Sequence, residues 1–216
     1  MISFEKAYET IMENAYPVGN ERISYEQALH RILAESVRAD RDMPPFHKSA
    51  VDGYACIDPK PDQQLEVLEF IAAGRQPGKP LKPGTCSKIM TGAEVPQNTT
   101  HVVMVEDVEE TGDTQVRLNE PGSKTNIAVR GEDFRQGDIV IPRGSRIEPQ
   151  HVAILASVGH IRPLVAELPS VKLITTGSEL VEPDQQPSPG QIRNTNASQL
   201  ISQFSRMGLQ PHYSGI

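Results

Sequence analysis

The sequence has 216 residues, 37% of them apolar, with 18 prolines, 16 glycines and two cysteines. That is enough chain for one or two domains with a real core, and no window holds the roughly 18 consecutive apolar residues of a membrane helix. With 21 basic against 28 acidic side chains the net charge is −7, and aromatics are only 5% without a single Trp. The basic footprint of nonspecific nucleic-acid binding and the stacking platforms that hold single strands are therefore both missing.

The N-terminal MISFEKAYET lacks a basic region followed by an apolar one, which argues against secretion. Cys56 and Cys86 are too few for a disulfide framework or a CxxC metal knuckle, and they read as small buried apolar residues. A reduced, cytoplasmic setting is expected. The six histidines show no HxxxH or HExxH spacing, so a structural zinc site is not expected.

In chain order, Phe4, Ala7, Tyr8, Ile11 and Met12 recur at helical spacing after Ser3, a candidate N-cap. A second helix is expected from Ser24, where Gln27 completes a capping-box pattern and Ala28, Leu29, Ile32 and Leu33 form a stripe. From about residue 40 the texture turns extended and proline-rich. Strand-like runs follow at Leu65–Ala73, Cys86–Met90, His101–Val108, Gln115–Leu118 and Asp138–Ile141, with a hairpin turn at Thr111-Gly112-Asp113. A helix is expected over Pro149–Val158, with Pro near its first position and Gly159 past its end. Ser170–Gly177 reads as a buried strand running into a loop. A second helix-forming stretch opens at Thr195-Asn196 and carries Leu200, Ile201, Phe204 and Met207. Leu209–Ile216 begins the next strand. One such β–loop–α–β unit cannot cover both faces of a parallel sheet. The chain is therefore expected to stop inside its last domain, with the part beyond residue 170 protease-sensitive on its own.

Four stretches hold residues suited to chemistry. Lys48–Ala55 sets Asp52 beside Gly53, where backbone can approach a ligand closely; taken alone, the stretch is better read as an ordinary Asp-Gly turn. Val129–Asp133 places Arg130 and two carboxylates around Gly131, and also reads as a solvated loop. Thr175–Leu180 is a Thr/Gly/Ser loop after a strand, the position where α/β folds bind ligands. It has neither the P-loop lysine nor GxGxxG, and a plain strand-end turn remains open. Gly190–Asn196 precedes a helix whose N-terminal amides attract anions, with Arg193 as a fork; an Asn/Thr cap alone would look the same.

Taken in order, PPFHKSAVDGYA (44–55), IMTGAEVP (89–96), HVVMVEDV (101–108), RGEDFRQGD (130–138), TTGSEL (175–180) and GQIRNTN (190–196) resemble the molybdopterin molybdenumtransferases, the MoeA / gephyrin E-domain family. The resemblance implies an α+β multidomain protein. In it, 1–45 and 135–168 form a discontinuous, elongated, partly helical first domain. A β-rich domain is inserted at 46–134, and 169–216 opens an α/β, adenylyltransferase-like domain that binds molybdopterin. It also implies insertion of molybdate into adenylylated molybdopterin with release of AMP, assisted by Mg²⁺. Asp52, Asp133 and Glu179 would be the catalytic and metal-binding carboxylates. Lys48, Arg130, Thr176, Gly177, Ser178, Arg193 and Asn196 would contact the anionic substrates. The family forms homodimers and takes its substrate from molybdopterin adenylyltransferase. Ser178 departs from an Asp often found before the glutamate, and the family's later SGG and PGxP loops have no counterpart within these residues. A non-catalytic scaffold of the same fold is the competing reading.

Overall fold

The protein is described here from a computed structural model covering residues 2–216. It is a mixed α/β chain that divides into two compact units, one joining the stretch up to Val37 to Ile139–Ile216, the other Arg38–Asp138. Among the described residues no helix is long and apolar enough to cross a membrane.

The Arg38–Asp138 unit is built on a six-stranded sheet. Its spatial order is His101–Met104, Gly53–Cys56, Thr85–Ile89, Gln64–Ile71, Gln115–Leu118 and Val108–Gly112. Only the Gln64–Ile71/Thr85–Ile89 pair is parallel. Alternation along the strands sends side chains to two cores. One holds Tyr54, Cys56, Leu65, Cys86, Val116 and Leu118. The other holds Ala55, Ile71, Leu81, Ile89 and Val102. The expected strands form, with one break: His101–Val108 splits at a 3₁₀ turn over Val105–Asp107.

Gly53 opens a strand rather than completing a turn, the bend lying at 50–52. A side chain there would collide with the backbone carbonyl of Val103 on the next strand. The close approach that Gly53 permits is therefore to a neighbouring strand.

In the other unit α1 spans Phe4–Glu13, capped by Ser3 accepting from the Lys6 amide at 3.2 Å. None of its residues is buried. The second expected helix does not form. Tyr25–Gln27 makes one 3₁₀ turn, Ser24 caps nothing with its side chain, and His30 takes φ +67°. The His30 and Leu33 amides donate instead to Ile147 and Ser145 carbonyls at 2.7 and 2.9 Å. Buried Ala28 and Leu33 satisfy the apolar pattern in this pairing, while Leu29 and Ile32 stay exposed. Long-range backbone pairing thus overrides a four-residue stripe.

Helix α2, Pro149–Ser157, has Pro at its start and a capping box between Glu148 and His151. Lys172–Leu173 pairs in parallel with His212–Tyr213, and α3, Thr195–Arg206, connects them. The strand expected over Ser170–Gly177 forms only at Lys172–Leu173; beyond it the chain is a loop in which Thr175 is buried and Ile174 exposed.

Candidate functional site

The expected site residues fall in both units, and each set is positioned by its own local framework. In the Arg38–Asp138 unit, Lys48-Ser49 pairs antiparallel with Ile127-Ala128, and Lys48 bridges Glu94 on its other side. The ribbon continues as Gly131 and Asp133 amides donate to Pro44 and Met43 carbonyls, each at 3.0 Å. Lys48, Arg130 and Asp133 therefore lie along one ladder.

Asp52 follows the bend beyond it. Its Oδ1 accepts from both the Thr91 amide and the Thr91 hydroxyl, each at 2.7 Å. Those bonds, the amide first, hold its carboxyl below the usual aspartate range although it is exposed. Asp133 is exposed and, among the described residues, makes no ion pair. Arg130 is partly committed, because its Nε donates to Asp42 Oδ2 at 2.7 Å. Asp42 is in turn held below its ordinary range, first by the Gln136 amide and then by Arg130.

In the other unit, the loop after Lys172–Leu173 presents Thr176 and Ser178 to solvent. The Leu180 amide closes the turn on Gly177 O at 3.2 Å. A side chain at Gly177 would meet the Glu179 carboxylate, so the glycine leaves room for that acid over the loop. Leu180-Val181 runs parallel to Ile192-Arg193, which brings Arg193 beside the same loop. The Arg193 guanidinium bonds only to Gln185 O and Gln186 Oε1, and among the described residues it has no carboxylate partner.

Asn194, not Asn196, caps α3. Its Oδ1 accepts from the Ala197 amide at 3.2 Å, and its Nδ2 donates to Thr175 Oγ1 and Tyr213 Oη at 2.8 Å each. The Tyr213 hydroxyl in turn donates to Glu182 Oε1 at 2.9 Å. Asn196 stands exposed in the first turn. This network ties the helix start to the loop at Thr175 and to the His212–Tyr213 strand, while Arg193, Thr195 and Asn196 are exposed.

Asn194 was not singled out from the sequence, although an Asn directly before a helix-forming stretch is a local capping signal. Thr91, 39 positions from Asp52, left no local signal. Among the described residues no group of three or more His, Cys, Asp or Glu forms a ready-made metal cluster.

The fold is that of a mixed α/β protein whose exposed carboxylates and hydrogen-bond donors gather at a strand ladder and at a strand-end loop before a capped helix. Residues 2–159 match the family model described as MoeA N-terminal region (domain I and II), and the chain belongs to that family. It is 35% identical over 217 aligned residues to the molybdopterin molybdenumtransferase of Staphylococcus epidermidis, covering 97% of this chain and 52% of that protein. The Bacillus subtilis protein of the same name is 35% identical over 206 residues, covering 90% and 48%. The crystal structure of a molybdopterin biosynthesis moeA protein from Pyrococcus horikoshii OT3 superposes with a TM-score of 0.88 at 29% identity, covering all of this chain and 60% of that one. The chain spans about half the length of the curated relatives it matches.

Proposed function

We propose that a protein carrying this chain works in molybdenum cofactor biosynthesis as a molybdopterin molybdenumtransferase, inserting molybdate into adenylylated molybdopterin and releasing AMP. The observation that carries the reading is 35% identity across 97% of the chain to a protein of that name. The site chemistry agrees with it: every substrate is an anion, and a chain of net charge −7 needs local cations and amides to accept them. Thr176, Gly177, Ser178, Arg193 and the α3 start with Asn196 would bind phosphate or pterin oxygens. Lys48 would serve the ladder, and Arg130 would do so in competition with Asp42.

Mg²⁺ fits these donors without a preformed cluster, since it keeps several waters and takes one or two carboxylates plus phosphate oxygens. Asp52, kept ionised by Thr91, and exposed Asp133 and Glu179 are the residues that would hold it. Bound there, the ion would offset charge developing at phosphorus. Assembly as a homodimer, and supply of substrate by a molybdopterin adenylyltransferase, belong to the same proposal; light scattering of the purified protein tests the first.

The test of activity is AMP release from adenylylated molybdopterin in the natural gene product containing these residues. Release should require molybdate and a divalent ion, and Asp52→Ala or Glu179→Ala should slow it roughly 10²-fold without unfolding the protein. Unchanged AMP release in both variants at saturating chelator would overturn the assignment.

A further inference from the structure

The two cysteines were placed among the core residues, and nothing in the proposed reaction uses them. Their positions relative to each other are more specific than burial requires. The Gly53–Cys56 and Thr85–Ile89 strands pair antiparallel as Gly53↔Ile89, Tyr54↔Lys88 and Ala55↔Ser87. The pairing ends at Ala55↔Ser87, and the same register carried one step further would set Cys56 opposite Cys86. Both belong to the same core cluster, so both side chains lie on one face of the sheet. The electrostatic influence of Cys56 on the Cys86 thiol agrees with that closeness. Directly opposed antiparallel residues have Cα atoms about 4.5 or 5.5 Å apart. Either spacing lies inside the roughly 4.4–6.8 Å range of disulfides. Both thiols are free.

We propose that Cys56 and Cys86 are a site of reversible disulfide formation, stapling the two strands when the protein meets a hydroperoxide. The step balances. One thiolate displaces water from the peroxide, after protonation of the leaving oxygen, and becomes a sulfenic acid. The second thiol attacks that sulfur, the S–S bond forms and a second water leaves. Two thiols and one hydrogen peroxide thus give one disulfide and two waters.

Burial is the obstacle, since it pushes both thiols up to about 12 and keeps them protonated. The sheet supplies a way past it. Cys56 is the last residue of its strand and Cys86 the second of its own, so the pair sits at the end of the ladder. On the far side of Cys86 lies Val67, where the register with Gln64–Ile71 shifts before Phe70. Beyond Cys56 the neighbouring strand, His101–Met104, is the sheet edge. Strand ends and edges open locally at far lower cost than the whole domain, and such opening admits peroxide to Cys56 first.

The opposite end of the same two strands carries Asp52, held by Thr91. A disulfide would prevent these strands from separating independently and so would slow opening at Asp52 as well.

The experiment treats the full 216-residue chain with hydrogen peroxide and reads intact mass, peptide maps and thiol titration after unfolding. The expected product has lost two hydrogen atoms, joins the Cys56 and Cys86 peptides within one chain, and reverts with dithiothreitol. Its unfolding equilibrium constant should fall by roughly 10²-fold, and exchange of the Thr91 amide should slow. Cys86→Ser should instead trap sulfenic acid on Cys56; Cys86→Ala repeats the arm if the serine variant does not fold. Two free thiols after treatment, a link between chains, or sulfinic acid without the intrachain disulfide would each overturn the proposal. None of these readouts depends on molybdenum chemistry.

Discussion

The side chains that matter most to the candidate site are those that hold its groups rather than those that face solvent. Thr91 gives Asp52 two donors, and replacing it by Val removes one while keeping the shape. The Thr91→Val substitution should raise the Asp52 titration midpoint, measured by NMR, without altering the sheet. Asn194 is more heavily engaged, because it caps α3 and supplies a donor to two hydroxyls. Asn194→Ala should cost about 1 kcal/mol for the lost cap and about 1 kcal/mol more for the unpaired buried groups. Urea denaturation followed by helix ellipticity measures the sum, and a loss below ~0.5 kcal/mol would mean that the network does not support the helix. Both dependencies differ in how far the sequence discloses them. The cap is a local pattern. The Asp52–Thr91 bond joins segments 39 positions apart, and only sheet closure creates it.

At the scale of elements, the strands and helices that carry a clean period were legible. Gln115–Leu118 and α2 with its initial Pro form over the expected residues. The helix expected after Ser24 fails because its few apolar positions also suit an irregular strand, and carbonyls at 145–147 compete for its amides. That region is then held by an ionic knot that no periodicity reveals. Glu35 Oε1 accepts from the Leu164 amide at 2.7 Å, and the same carboxylate pairs with Arg22 at 3.1 Å and His160 at 2.8 Å. Partial burial pushes the Glu35 carboxyl up, but these three donors together hold it below its usual 4.5. A folded value below the unfolded one gives stability that is fully present above pH 4.5 and is lost as pH falls through the folded value. Acid denaturation of the wild type should therefore steepen below pH 4.5. Glu35→Gln should flatten that slope while lowering stability at neutral pH. An unchanged slope would show that the knot does not couple to folding.

At the scale of the whole molecule, apolar burial is unevenly distributed. The Arg38–Asp138 unit owns two core clusters on opposite faces of a six-stranded sheet. In 169–216 the buried apolar residues are Leu173, Val181 and Ala197, whereas Ile174, Ile192 and Met207 remain 58%, 57% and 62% exposed. Full burial of each such side chain is worth roughly 1.5–3 kcal/mol, so the parallel unit around α3 draws little stability from its own packing. Its two-residue strands add few ladder bonds, and a turn-rich stretch from Glu182 to Gln191 links them. Low-stability segments open first and are cut first. Limited proteolysis of the 216-residue chain should therefore cleave initially between about 169 and 195, and the sheet strands from Gly53 to Leu118 should persist in the remaining core. Mass spectrometry of the early fragments decides the matter. A first cut within that sheet, or persistence of 169–195 after the sheet is degraded, would mean that the α3 unit is stabilised by interactions its exposed side chains do not reveal.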